Sequence, residues 1–175
     1  MSDGLIDLAA KVRAIPDFPK EGILFRDIMP LLQDPTTLRE AVDRIVEYGT
    51  GKHVDIVLGA EARGFILGAA VAYGLGAGFV CARKPGKLPF DTVSAEYDLE
   101  YGTDKLEVHA DAVTPGQNVL IHDDLLATGG TARAKIDLVE KLGGKVVGMA
   151  FLIELAGLKG REKLQGYDVF SLITY

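Results

Sequence analysis

The segment VLIHDDLLATGGT at residues 119–131 constrains the fold more than any other part of the chain. Its apolar start, taken as residues 119–122, predicts a buried strand. Two adjacent acids, Asp123 and Asp124, follow that strand, and a glycine turn then leads into a helical pattern over 130–142. The order of strand, turn and helix is typical of an α/β protein whose strand ends carry the ligand site.

The turn at 128–131 has the chemistry of an anion site. Glycines let backbone N–H groups turn towards an anion, and the N-terminus of a helix adds partial positive charge. Thr128 and Thr131 add hydroxyl donors, while Asp123 and Asp124 can accept hydrogen bonds from hydroxyl groups. A phosphorylated sugar offers both a phosphate and a diol. The alternative is a purely structural strand, acidic cap and glycine turn.

Two other phosphate-binding loops do not fit the sequence. The pattern G-x-x-x-x-G-K-[ST] is absent, and no lysine follows Gly130. Gly74, Gly76 and Gly78 approach the pattern G-x-G-x-x-G, but they precede a predicted strand instead of opening a helix.

The remaining chain alternates helical and strand patterns. Asp34 is predicted to cap a helix that has Pro35 at its first position, and Leu5, Leu8, Ala9 and Val12 indicate an earlier amphipathic helix. A third helix is predicted at 65–73. Further strands are expected at 54–58, 79–82, 146–153 and 169–173. This alternation predicts a single α/β domain over 1–175, with a mostly parallel sheet covered by helices on both faces.

Residues 84–110 interrupt the alternation. Proline and glycine punctuate a polar stretch there, which predicts a long excursion in an irregular or a hairpin form. Excursions of this length are often active-site lids.

Composition excludes several classes of protein. The net charge of −6 argues against a nucleic-acid binder. Cys81 is the single cysteine, so no internal disulfide can form, and no Cys/His cluster has zinc spacing. No apolar stretch reaches about 18 residues, and the N-terminus lacks the pattern of a secretion signal. We therefore expect a cytoplasmic protein without membrane partners.

The sequence resembles a known family. Two acids followed by A-T-G-G-T are similar to the phosphoribosyl-diphosphate motif of type I phosphoribosyltransferases. Five further segments resemble the adenine-using branch of that family over nearly the whole chain: IPDFPKEGILFRDI at 15–28, GAEARGF at 59–65, RKPGKLP at 83–89, LEYGTDKLE at 99–107 and LKGREKL at 158–164.

The resemblance implies both fold and activity. The expected fold is a type I phosphoribosyltransferase sheet with an N-terminal hood at 1–33, which reads the base, and a flexible lid at 84–110. The expected reaction transfers 5-phosphoribose from 5-phospho-α-D-ribose 1-diphosphate to adenine, giving AMP and diphosphate. Two alternatives remain open, namely a phosphoribosyltransferase for another purine and a non-catalytic regulator that senses the diphosphate sugar.

The resemblance also assigns roles to residues. The ribose and its 5′-phosphate should be bound by Asp123, Asp124, Ala127, Thr128, Gly129, Gly130 and Thr131. The diphosphate should be bound by Glu61, Ala62, Arg63 and Lys87, where Ala62 replaces the serine usual in the family. Adenine should lie between Phe25 and Leu125, with its edge read by the Leu24 carbonyl and the Arg26 amide. Glu100, Tyr101 and Arg63 are the expected catalytic residues.

Two further expectations concern partners. Magnesium should be held mainly by substrate oxygens and not by a protein cage. The resemblance also implies a homodimer.

His122 departs from the family, which usually has an apolar residue there, and is expected to be a core histidine on the sheet face opposite Asp123.

Overall fold

The computed structural model describes residues 6–98 and 103–175. Its strands are β1 (Arg13–Pro16), β2 (Leu24–Asp27), β3 (Ile56–Ala60), β4 (Gly78–Ala82), β5 (Thr92–Asp98), β6 (Thr103–His109), β7 (Asn118–Leu126), β8 (Lys145–Glu154) and β9 (Val169–Thr174). Its α-helices are α1 (Met29–Gln33), α2 (Pro35–Gly49), α3 (Arg63–Leu75) and α4 (Gly130–Lys141).

The central sheet has five strands in the order β4-β3-β7-β8-β9, and every pairing is parallel. The predicted parallel sheet is therefore confirmed, with the motif strand β7 in the middle. Because all strands run the same way, the chain leaves β3, β4 and β7 at one edge of the sheet, where a ligand site is expected.

Both faces of the sheet are covered, as predicted. Leu58, Ile121 and Phe151 pack in one core with helix α4, whereas their neighbours Val57, Leu120 and Ala150 pack in another core with α2 and α3. Side chains that alternate along a strand point to opposite faces, and here both faces are apolar.

Helix α2 begins as the sequence predicts. The Asp34 side chain accepts hydrogen bonds from the Thr36 and Thr37 amides, and Pro35 occupies the first turn. The cap satisfies amides that have no partner inside the helix.

The predicted first amphipathic helix is wrong. Within the described residues, this region has only a 3₁₀ turn at Ala9–Lys11, after which Val12 is extended and β1 pairs antiparallel with β2. Pro16 disfavours a helical residue before it, and the pairing with β2 holds the chain extended. Leu8 is nevertheless buried in the core, so the apolar pattern marked burial correctly but the secondary structure incorrectly.

The predicted excursion at 84–110 contains a hairpin, formed by the antiparallel strands β5 and β6. Its strands are anchored to the domain, because Ala95, Leu106 and Val108 are buried in the same core as α4. Among the described residues, no helix is both long and apolar enough to cross a membrane.

Candidate functional site

A cavity of about 260 Å³ lies at the carboxyl edge of the sheet, beyond β3 and β7. It brings together chain segments that are far apart in sequence. Its lining includes all seven residues predicted for ribose and 5′-phosphate, namely Asp123, Asp124, Ala127, Thr128, Gly129, Gly130 and Thr131. It also includes Glu61, Ala62 and Arg63 of the predicted diphosphate loop.

The glycine turn lies at the N-terminus of α4, and no side chain in the described structure caps that helix. The first amides of the helix are therefore available to an anion. Gly129 has a φ of 80°, and a Cβ there would collide with the Gly160 carbonyl oxygen. The turn thus requires glycine for its conformation and for its close contact with the segment around Gly160.

The acids lie within the motif strand and not after it. We expected the strand to end at 122, but β7 continues to Leu126 because it stays paired with β8 through Leu125 and Leu126. Asp123 and Asp124 are consequently fixed by the sheet, and both are almost buried.

Each acid has its own cation. Lys135 Nζ lies 2.6 Å from Asp123 Oδ2, and Arg63 Nε lies 2.8 Å from Asp124 Oδ2. Burial and the neighbouring Asp123 carboxylate raise the pKa of Asp124 well above its usual range, although the Arg63 guanidinium opposes that change.

Arg63 opens helix α3, where the helix dipole disfavours a cation. The Asp124 carboxylate offsets that effect. Gly64 follows, and a Cβ at that position would lie 2.7 Å from Asp123 Oδ1. Glycine at 64 therefore leaves room for the Asp123 carboxylate beside the start of α3.

Glu61 joins the loop after β3 to the segment after β4. Its carboxylate accepts hydrogen bonds from the Lys84 amide at 2.6 Å, and from Arg83 and Lys87 at 3.1 Å each. Burial raises the pKa of Glu61, but the Lys84 amide, Lys87 and Arg83 outweigh it and lower that pKa to about 2. Glu61 thus remains an anion that holds Lys87 near the cavity, although Lys87 itself is not part of the cavity lining.

A second, largely apolar cavity of about 100 Å³ adjoins the first. Arg63, Asp124 and Leu125 line both cavities. Leu24, Phe25 and Arg26 of β2 also line the smaller cavity, so all four residues predicted for adenine come together there. Phe25 is half-buried, and the Arg63 guanidinium carbon lies 5.1 Å from its ring centroid.

The Arg26 side chain contacts the C-terminal residue. Its guanidinium carbon lies 3.7 Å from the Tyr175 ring centroid. The neighbouring Asp27 carboxylate lies 3.6 Å from Nη1 of Arg13, its partner in the β1–β2 ladder.

His122 is a core residue, as expected, and packs on the α3 side of β7. It is fully buried, with Nδ1 2.9 Å from the Ala150 carbonyl oxygen. Nδ1 therefore carries the proton, and Nε2 has no partner among the described residues. Burial lowers the pKa of His122 to about 4.

The sequence predicts no role for Tyr97 or Lys135, and for Lys84 it leaves a diphosphate contact and a solvated loop equally open. Lys84 and Tyr97 line the larger cavity, and both bind Asp104. Lys135 is fully buried against Asp123. A signal for Lys135 existed, since it falls on the apolar stripe of α4 with Ala132, Leu138 and Val139, where a solvated lysine would not be expected.

The predicted catalytic residues Glu100 and Tyr101 lie outside the described residues. Within the described residues, no group of three or more His, Cys, Asp or Glu side chains could hold a metal ion. The Asp123 and Asp124 carboxylates, which line the larger cavity, are oxygen donors of the kind that Mg²⁺ accepts.

Comparison with known proteins shows the family of the chain. Residues 32–174 match the phosphoribosyl transferase domain. The chain belongs to the phosphoribosyltransferase family. It is 59% identical to the adenine phosphoribosyltransferase of Thermotoga sp. (strain RQ2), over 97% of this chain and 100% of that protein.

Solved structures of adenine phosphoribosyltransferases share the whole fold. The enzyme of Thermoanaerobacter pseudethanolicus is 54% identical, with a TM-score of 0.94 over 96% of this chain and 98% of that one. The Saccharomyces cerevisiae enzyme is 40% identical, with a TM-score of 0.89 over 94% of this chain and 96% of that one. That structure holds adenine and D-2,5-dideoxy-2,5-imino-altritol 1,6-bisphosphate. The chain thus falls in the adenine branch of the family.

Proposed function

We propose that the chain transfers 5-phosphoribose from 5-phospho-α-D-ribose 1-diphosphate to adenine, giving AMP and diphosphate. One observation carries the proposal: a polar cavity with an anion cradle and two acids adjoins an apolar cavity, and Arg63, Asp124 and Leu125 line both. A phosphorylated sugar and a planar base can therefore meet at a shared wall. The names of the relatives support the same reaction.

The sugar is bound through its two ends. The α4 N-terminus, with Thr128 and Thr131, receives the 5′-phosphate, and the Asp123 and Asp124 carboxylates accept the ribose hydroxyls. The diphosphate lies towards Glu61, Ala62 and Arg63, with Lys87 held nearby by Glu61. Arg63 then exchanges part of its contact with Asp124 for the diphosphate, whose release it favours by neutralising charge.

The base is bound by the hood. Adenine lies in the smaller cavity between Phe25 and Leu125, and the Leu24 carbonyl and Arg26 amide read its edge. Substitution takes place at the anomeric carbon, through a transition state with oxocarbenium character as in glycoside cleavage. A magnesium ion, held chiefly by the substrates, would supply neutralisation of the phosphate charge. The protein aligns the two substrates and excludes water.

The direct test mixes the protein with magnesium, the diphosphate sugar and each purine base in turn. AMP should form with adenine. Nucleotide formation only with hypoxanthine or xanthine would favour another purine specificity, and sugar binding without any nucleotide would favour a regulator. We further propose that the protein is cytoplasmic and homodimeric, which fractionation and sedimentation would check.

Asp123→Asn and Asp124→Asn should each weaken binding of the diphosphate sugar about tenfold or more, since a charge-assisted hydrogen bond contributes about 1.5–3 kcal/mol. Isothermal titration with the sugar and magnesium measures this loss. Because the pKa of Asp124 is raised, sugar binding by the wild-type protein should also weaken as the pH falls below neutrality, as Asp124 takes up a proton. Asp137→Asn, on helix α4 but outside the lining of the larger cavity, is the control. Unchanged affinity in both cavity variants would exclude these roles.

Glu100 is proposed to act on the purine N7 proton, with Tyr101 closing the site as part of the 84–110 lid. This proposal rests on the sequence resemblance. Glu100→Gln should lower kcat while leaving the Kd of the diphosphate sugar nearly unchanged. Single-turnover AMP formation and sugar titration on the same preparation separate the two effects, and a variant that loses sugar binding but not turnover would contradict the assignment.

A further inference from the structure

Lys135 is among the largest fully buried side chains of the described structure, and it is charged. Its Nζ lies 2.6 Å from Asp123 Oδ2 and 3.4 Å from the His122 carbonyl oxygen. Around it, α4 contributes Ala132, Ala134, Ile136, Leu138 and Val139 to the apolar core. Burying an ammonium group among such residues is unfavourable unless the charge is paired and hydrogen-bonded.

The partner of Lys135 lines the sugar cavity. The Asp123 carboxylate is held at both oxygens, because Lys135 binds Oδ2 and the Asp124 amide donates to Oδ1 at 3.0 Å. Gly64 leaves space at Oδ1. Asp123 retains 13% exposure of its side chain, which reaches the cavity. Lys135 itself does not line the cavity, so any effect on the sugar passes through Asp123.

We propose that Lys135 is a positioning residue for sugar binding, which fixes the Asp123 carboxylate at the angle where it accepts a ribose hydroxyl. This inference rests on the proposed function. Replacing a merely structural Lys135 by methionine would cost folding stability, because the Asp123 carboxylate would lose its cation, but it would leave the sugar affinity of the folded protein unchanged. A positioning lysine is not replaceable in that way without loss of sugar affinity.

The test compares Lys135→Met, Asp123→Asn and the double variant with the wild-type protein. Lys135→Met should raise the Kd and KM for the diphosphate sugar roughly tenfold, as expected for loss of a charge-assisted hydrogen bond. The KM for adenine should stay within about twofold, because the base cavity does not include Asp123. Lys141→Met is the matched control, since this exposed lysine on the same helix contacts the Ser94 carbonyl.

The double variant tests the route of the effect. If Lys135 acts only through Asp123, the double variant should bind the sugar no more weakly than Asp123→Asn alone. It also leaves no unpaired buried charge, so it remains informative if Lys135→Met does not fold. Sugar affinity equal to wild type in Lys135→Met overturns the proposal, as do losses that simply multiply in the double variant. Absence of AMP formation by the wild-type protein would instead refute the proposed function.

Discussion

Adenine should be used with a kcat/KM roughly 10⁴-fold or more above that of hypoxanthine, because sites that match buried hydrogen-bond groups discriminate on this scale. Adenine presents an amino donor beside the unprotonated N1 acceptor. Hypoxanthine presents a carbonyl acceptor beside a protonated N1 donor. The Leu24 carbonyl and the Arg26 amide would pair with adenine at both positions and oppose hypoxanthine at both. Initial rates with each base and saturating diphosphate sugar measure the ratio.

The geometry of the base cavity supports reading by backbone groups. The Arg26 guanidinium is stacked on Tyr175, and the β1–β2 ladder fixes the backbone at Leu24 and Arg26. Leu24→Ala should therefore leave the preference for adenine intact. Phe25→Ala should weaken binding of adenine and hypoxanthine alike, since stacking does not depend on the polarity of the base edge. Comparable kcat/KM values for the two bases in the wild-type protein would refute backbone reading.

The second large effect is on stability in acid, and it comes from His122. Burial lowers its pKa in the folded protein to about 4, whereas an unfolded histidine keeps a value of about 6.5. As the pH falls below about 6.5 the unfolded chain takes up a proton that the folded protein does not, so folding stability is lost until the pH reaches about 4. The loss amounts to about 3 kcal/mol.

His122→Asn isolates this contribution. Asparagine does not titrate, and its side-chain amide can still donate to the Ala150 carbonyl that His122 contacts. Asp124 acts in the opposite direction, because its raised pKa makes the folded protein take up a proton first on acidification. The informative quantity is therefore the difference between wild type and variant, from urea unfolding at pH 7 and pH 5.

The exposed histidine His53 provides the control for this experiment, because asparagine tolerates its φ of 51°. His53→Asn should follow the wild-type pH dependence, and His122→Asn should lose less stability on acidification than either. Parallel curves for wild type and His122→Asn would show that His122 is not the source of the acid sensitivity.

Local patterns were sufficient to predict much of this protein. The strand, the acids and the glycine turn at 119–131 are close in sequence, and their chemistry is local, so the strand and the turn at the start of the following helix could be predicted. The cap at Asp34 is local in the same way. The wrong prediction of a helix at Leu8 to Val12 also has a local origin. An apolar stripe indicates burial, but it does not by itself distinguish a helix from an irregular segment.

Only the tertiary structure decided which charges meet. The pairing with β8 keeps Asp123 and Asp124 within a strand. Arg63 reaches Asp124 from the start of helix α3, and Glu61 holds Lys87 across 26 positions of sequence. Ion pairing depends on distances of a few ångströms, which no spacing along the chain specifies. The sequence by itself determined the chemistry available at one sheet edge. The packing of α4 on the sheet decided that a buried lysine, Lys135, pairs with Asp123.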